Sequence, residues 1–353
     1  MSVTRLSGKQ ITSELEIAFS FLKGERVVAI TGSLGKSTTV SLLGVGAQSF
    51  APESFYGGNL GVPLADYVRE LLSEKRGRAP WVILELSSYQ LENFKNLSAE
   101  NSAITYFTPN HLERYASLDD YYKIKWSLSG KTKRTVILNE MSKDLLDYSL
   151  RQKSNSGFRK TSRKDPSLKK YSLSTAKILG AHNQDNLAVA TQVALACGWP
   201  ESSIEAMKNF MGLAHRLENL GERKDIRFIN DSKSTTMESV RQAVSSVIDN
   251  TKGSLILLLG GKDKSLPWEE LRSLSSYKNL KCVFFGEYAK KAKEKTKLEG
   301  PDFATLKEAL KAVKKLAQAH DAVLLSPGGT SLDEFKSFEE RGDLFKNEIS
   351  KLW

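Results

Sequence analysis

The run RVVAITGSLGKSTT at residues 26–39 constrains the chain more than any other stretch. A β-branched apolar segment ends in a glycine turn and passes into the helical pattern of Val40 to Gln48, the order strand, phosphate loop, helix. Gly32 and Gly35 let the backbone curl until its N–H groups point at phosphate oxygens. Lys36 then reaches the β- and γ-phosphates, and the hydroxyl of Ser37 or Thr38 faces Mg²⁺. The spacing is the short T-G-x-x-G-K-S-T form, because Ile30 stands where the longer form has its first glycine. A bare glycine turn with an exposed lysine needs neither the strand before it nor the helix after it. The reading is therefore a nucleotide site whose chemistry lies at the γ-phosphate.

A length of 353 residues predicts about two domains. No apolar run approaches the ~18 residues of a membrane span, so no membrane insertion is expected. Met1 to Gly24 carries Glu14 and Glu16 and lacks an apolar signal core, which points to a cytoplasmic chain. Cys197 and Cys282 lie far apart in apolar surroundings and read as buried free thiols. The net charge of +11 suits anionic ligands, but the basic residues lack aromatic interleaving and no nucleic-acid motif appears. No nucleic-acid partner is expected, and a monomer is the default.

The hydrophobic pattern predicts an α/β chain. Strands are expected at Val27–Ile30, Trp81–Leu86, Ala103–Phe107 and Thr135–Leu138, forming a parallel sheet. Segment 151–178 is basic and irregular, and reads as short strands or loop. Helices follow at Asn183–Cys197 and Ile204–Phe210. The pattern restarts near Gly212 with strands at Arg227–Asn230, Ser254–Leu259, Lys281–Phe285 and Ala322–Leu325. Helices near 236–248, 287–297 and 304–319 lie between them, a second unit of Rossmann type.

Polar clusters stand at the strand ends, where open α/β sheets bind ligands. Glu85 ends a strand beside the phosphate loop, a usual place for a Mg²⁺ ligand. His111 is open to metal or phosphate binding, or to a structural role. Lys125 sits in a helix-like stretch where a solvated lysine is equally natural. Asn59, in a glycine-rich turn, can hold a substrate or phosphate oxygen. Asn183 and Asn186 open a helix and could be simple caps. His215 and Arg216 begin the second unit. Asp231 and Lys233 follow its first strand and can hold a ribose and a phosphate. Glycine turns with lysines or serines follow at 260–264 and 326–331. Each cluster alone fits an ordinary αβ turn; all of them together fit that reading poorly.

These residues carry a resemblance to the Mur ligases. The matching motifs are TGSLGKSTT, GGNLGVP, ELSSYQLE, HNQDN, GLAHRLE, NDSKSTT, LLLGGKDKS and LLSPGGTSLDEFKSFEERG, in family order from residue 26 to 345. The last four point to the D-glutamate-adding branch. The resemblance implies three parts: a residual N-terminal segment at 1–25, a central P-loop-type ATPase domain with a parallel sheet at 26–212, and a C-terminal Rossmann-like α/β domain at 213–353. It implies that ATP phosphorylates the carboxylate of UDP-N-acetylmuramoyl-L-alanine and that D-glutamate attacks the acyl phosphate. Mg²⁺ and lysine would neutralise the phosphates, and a charge-stabilising site would hold the oxyanion. Lys36, Ser37 and Thr38 match the ATP loop, with Gly32 and Gly35. Glu85 and His111 match metal positions, and Asn59 and Ser87 match substrate- or phosphate-side contacts. Lys125 matches a lysine that the family carbamylates, turning a cation that would repel Mg²⁺ into an anionic ligand. Asn183, Asn186, Arg216, Asp231 and Lys233 match nucleotide contacts, with His215 at the mouth of the site. Lys264, Thr235, Ser331, Leu332 and Phe338 match a D-glutamate pocket.

Several departures stand out. Leu34 replaces an asparagine of the loop, Asn110 replaces an aspartate before His111, and Gly328-Gly329-Thr330 replaces an alanine-rich run. Family members also begin with a UDP-binding domain of roughly 90 residues, a typical small α/β size; Met1 to Lys23 matches only its exit segment. Weak UDP-substrate affinity and poor activity are the expectation. Two further readings stay open, a ligase of the same superfamily with a non-UDP substrate and a non-catalytic nucleotide-binding remnant.

Overall fold

The computed structural model describes residues 12–59, 61–108, 114–152 and 157–353. His111 and Asn110 fall outside the described residues, as do the residues before position 12. The chain divides into two compact units, one reaching to Lys177 and including His182–Phe210, the other made of Ile178–Ala181 and Met211–Trp353.

The first unit is built on six parallel strands: β1 (Arg26–Thr31), β2 (Phe55–Gly58), β3 (Trp81–Glu85), β4 (Asn101–Ile104), β5 (Val136–Asn139) and β6 (Phe158–Thr161). Their order across the sheet is β2-β3-β1-β4-β5-β6. Around it lie α1 (Glu14–Ser20), α2 (Lys36–Gln48), α3 (Leu64–Leu72), α4 (Ser88–Asn93), α5 (Leu118–Trp126), α6 (Lys143–Leu150), α7 (Ala181–Cys197) and α8 (Glu201–Lys208). The alternation of the strands explains the layers. Val28, Ile30 and Ile83 pack with Val40, Leu43, Leu187 and Val193 of α2 and α7 on one face. Val27, Ala29, Val82 and Leu84 pack with Leu15, Tyr67 and Leu91 on the other. Both faces are covered, which is why these strands read as continuous apolar runs. Each fully buried Val, Leu or Ile contributes about 1.5–3 kcal/mol. The loop after β1 leads towards β2 on one side of the sheet and the loop after the adjacent β4 leads to β5 on the other, so the loop after β1 sits at the switch point where open sheets bind ligands.

The second unit has its own sheet, in the order β11-β10-β9-β12-β8-β7. Its strands are β7 (Glu218–Arg223), β8 (Ile226–Asn230), β9 (Leu255–Gly260), β10 (Leu280–Phe285), β11 (Asp302–Phe303) and β12 (Ala322–Gly328). Helices α9 (Met237–Ile248), α10 (Ala289–Thr296), α11 (Leu306–Leu316) and α12 (Phe338–Leu352) cover it. Leu255, Leu257 and Leu324 face α9, while Ile256, Val323 and Leu325 face α11 and α12.

Several elements differ from the expectation. Strand β4 is Asn101–Ile104, earlier than the expected Ala103–Phe107; the Thr105 N–H still bonds Thr31 O of β1 at 2.9 Å, while the Thr105 hydroxyl turns to the Leu34 carbonyl of the phosphate loop. Strand β2 runs into the glycine-rich turn around Asn59; Phe55 and Gly57 are buried in a short edge strand with too little apolar sequence to announce itself. Strand β7 is antiparallel to β8, and its polar residues are only half-buried. Both cysteines are free and buried. Among the described residues no helix is long and apolar enough to cross a membrane.

Candidate active site

The phosphate loop spans the turn from β1 into α2. Gly32 has φ +149°, and a Cβ there would stand 2.2 Å from Thr105 Oγ1. Gly35 has φ +83° and forms the N-cap of α2 with no side-chain cap hydrogen bond, the kind of helix start that suits an anion. Ser37 and Thr38 occupy the first turn of α2, partly exposed. Lys36 Nζ folds back to donate to the Gly32 carbonyl at 3.0 Å and the Ser33 carbonyl at 3.2 Å. Leu34 is 44% exposed at the loop tip.

A cleft of about 260 Å³ opens beside the loop, lined by Ser33, Lys36, Asn59, Ser87, Ser88, Tyr89, Tyr121 and Lys125. Lys125 is 2% exposed and donates to the Gly32 carbonyl at 2.8 Å, on the same oxygen that Lys36 reaches. Burial, and then the nearby Lys36 charge, pull the Lys125 ammonium down to about 6, while Glu85 pulls the other way. Glu85 is 2% exposed at the end of β3. Its Oε1 accepts from Asn59 Nδ2 at 3.0 Å, and its buried Oε2 has no hydrogen-bond partner among the described residues. An orphaned carboxylate oxygen beside a phosphate loop is the chemistry a hard cation requires. Ser87 caps α4 reciprocally with Gln90, so its hydroxyl is already committed to the helix end.

Asn183 and Asn186 are not caps. Helix α7 begins at Ala181, and both lie inside its first turns, buried. Asn186 Nδ2 donates to Asn183 Oδ1 at 3.3 Å, and a Cβ on Gly35 would fall 2.4 Å from Asn186 Oδ1. The asparagine pair therefore lies directly against the phosphate loop. The loop glycines, Lys36, Asn59, Glu85, Ser87, Lys125, Asn183 and Asn186 thus gather at one end of the first sheet. His111 lies outside the described residues.

In the second unit, Asp231 follows β8 with both oxygens engaged, Oδ1 by Leu217 N–H at 3.1 Å and Oδ2 by Ser326 Oγ at 2.9 Å. Burial pushes its carboxyl up to about 7. His215 is buried with φ +62° beside Asn230, whose Nδ2 lies 3.0 Å from His215 Nδ1. Burial lowers its imidazolium first, Lys346 second. Lys233 Nζ stands 3.9 Å from the centre of the Phe338 ring. Arg216 and Lys264 are exposed, Thr235 is half-buried, Ser331 is buried, and Leu332 is 62% exposed.

Three side chains escaped the sequence reading. Ser33 takes a hydrogen bond from Tyr121 OH at 3.2 Å, and Tyr121 lies one helical turn before Lys125; that spacing was the available signal. Arg341 is wholly buried: its Nε donates to Ser232 Oγ at 3.0 Å, Nη2 to Ser232 O at 2.8 Å and Nη1 to Gly329 O at 3.2 Å. It ties the loops after β8 and β12 to α12. Its sequence setting, after Glu339 and Glu340 and two residues before Asp343, reads as an exposed helix face.

Two family models match the chain, the Mur ligase middle domain over residues 30–194 and the Mur ligase glutamate ligase domain over 215–329. It is 35% identical over 360 residues to a UDP-N-acetylmuramoylalanine--D-glutamate ligase of Aquifex aeolicus, covering 98% of this chain and 83% of that one. The chain belongs to the Mur ligase family. A second relative with the same name, from Buchnera aphidicola, is 34% identical, over 99% of this chain and 80% of its own length. Solved Mur ligases share the fold. A MurF from Acinetobacter baumannii superposes with a TM-score of 0.67 at 20% identity, over 96% of this chain and 78% of that one. A MurF ligase from Thermotoga maritima, solved with ADP, gives 0.66 at 15% identity, over 97% and 88%.

Proposed function

We propose that this Mur ligase joins D-glutamate to UDP-N-acetylmuramoyl-L-alanine at the expense of ATP, through an acyl phosphate, in cytoplasmic peptidoglycan precursor synthesis. The observation that carries it is the convergence of Lys36 and Lys125 on the Gly32 carbonyl beside the half-satisfied Glu85. The names of the relatives supply the substrates, and they lend no support to a non-UDP substrate.

On this reading the substrate carboxylate attacks the γ-phosphorus and ADP leaves. The amine of D-glutamate then attacks the acyl carbon, and the tetrahedral intermediate expels phosphate. Lys36 swings from the loop carbonyls to the phosphates, and N–H groups at the start of α2 would hold their oxygens. Glu85 Oε2 and the Ser37 or Thr38 hydroxyl would hold Mg²⁺, with His111 as a further ligand. When bound, the ion neutralises phosphate charge and polarises the γ-phosphoryl group. Lys125, held neutral by burial, is the form whose nitrogen attacks CO₂, giving a carbamate and releasing a proton to water. Asn183, Asn186, Arg216, Asp231 and Lys233 would take the nucleotide, with His215 at the mouth of the site. Thr235, Lys264, Ser331, Leu332 and Phe338 would take D-glutamate. We assign the central domain to 26–212 and the C-terminal domain to 213–353, and a monomer.

Phosphate release by the purified chain tests this, with ATP, Mg²⁺, UDP-N-acetylmuramoyl-L-alanine and D-glutamate omitted one at a time. Release that needs every component is expected. Nucleotide binding with no release under any combination would overturn the ligase reading.

A further inference from the structure

We propose that the Arg163–Asp185 ion pair is a positioning clamp for the nucleotide, pinning helix α7 on one face so that its other face holds Asn183 and Asn186 against the phosphate loop. The inference rests on the nucleotide reading of that loop. Residues 183 and 186 are three apart and share a helix face, while 185 and 192 are seven apart and share another, more than 100° away around the axis. Asp185, only 4% exposed, accepts from the Arg163 backbone N–H at 3.0 Å and from the Arg163 guanidinium. Two turns on, Gln192 Nε2 donates to Asp165 Oδ2 at 3.0 Å and to Ser167 Oγ at 2.9 Å. Asp165 is itself held by the Thr161 hydroxyl at 2.8 Å and by Ser167 N–H at 2.9 Å.

Segment 161–167 is thus a polar splint along α7. Apolar residues of this helix, Leu187, Val189, Val193 and Cys197 among them, pack into the core of the first unit. Burying a carboxylate costs free energy that its partner must offset. Directional bonds fix rotation and register, which apolar contact does not. A side-chain amide about 6 Å from the axis moves about 2 Å when its helix turns 20°. Asn186 has no such latitude, since its amide already touches Gly35.

Calorimetric ADP affinity of the whole chain tests the clamp, for Asp185→Asn and Arg163→Met, each in the native and the Asn186→Ala background. Melting temperatures are read alongside. Asp185→Asn is isosteric, and Arg163→Lys keeps the charge, so folding is preserved in at least these variants. Each clamp variant should weaken ADP binding roughly tenfold when Asn186 is present and less than about twofold when it is absent. Arg163→Lys should recover part of the loss. Unchanged affinity, or equal weakening in both backgrounds, would overturn the clamp, the latter marking a merely structural pair. A native chain that binds no ADP would sink the nucleotide reading itself, and the clamp with it, before any variant is compared.

Discussion

Lys125 is buried beside another cation, and both facts press its proton off. The folded chain therefore binds fewer protons at this site than the unfolded chain between pH about 6 and the ordinary lysine value of 10.5, and stability from this residue rises with pH across that window. In CO₂-free buffer, native stability relative to Lys125→Met should increase by roughly 1.4 kcal/mol per pH unit there. Urea melts of both proteins at pH 7 and 8 check this; parallel pH dependence would refute it. With ¹³C-labelled bicarbonate the native chain should show a carbamate carbonyl signal that Lys125→Met lacks. None of this burial was legible in the sequence, where a Lys between Ile124 and Trp126 reads equally well as solvated. The phosphate loop was legible, because glycine spacing and a strand–helix frame state their conformational purpose locally. Its partners were less so. Asn186 entered only as a helix cap or as a nucleotide contact that the resemblance implies, and Thr105 not at all, because the tertiary fold that brings α7 and β4 to the loop is not printed in the sequence.

At the scale of elements, glycines and one arginine set the loop geometry. Gly35→Ala places a β-carbon at φ +83° and against Asn186 Oδ1. It should cost about 1–2 kcal/mol of stability and a larger fraction of nucleotide affinity, measured by melting and by calorimetry. Arg341→Met removes three donors from Ser232 and Gly329 while keeping the apolar stem. Two stranded carbonyls predict a loss of about 2–5 kcal/mol in chemical denaturation; a change under about 1 kcal/mol would show that water replaces the guanidinium. The strands that sequence patterning found are those buried on both faces, such as β1 and β9. Those it missed, β2, β7 and β11, are short or half-exposed edges whose pairing depends on neighbours distant in sequence.

The whole molecule is two units with separate cores, and tryptophans report on each: Trp81, Trp126 and Trp199 in the first, Trp268 and Trp353 in the second. ADP at a hundred times its dissociation constant should stabilise the first unit by about 2.7 kcal/mol. The far-shifted midpoint should appear in single-unit tryptophan variants that keep only the first three. A net charge of +11 should also speed capture of anionic nucleotide at low salt and lose that advantage at high ionic strength, which stopped-flow mixing detects.

The two cysteines have a practical corollary. Burial pushes both thiols up to about 12, and each cysteine is only 4% exposed. The thiolate fraction at neutral pH is minute, so the chain offers a chemically silent background to maleimide dyes. A cysteine introduced at an exposed site, Leu332 for example, would become the sole labelled position without prior deletion of either native one. Fluorescent reporters could then be placed in the wild-type core rather than in a weakened one.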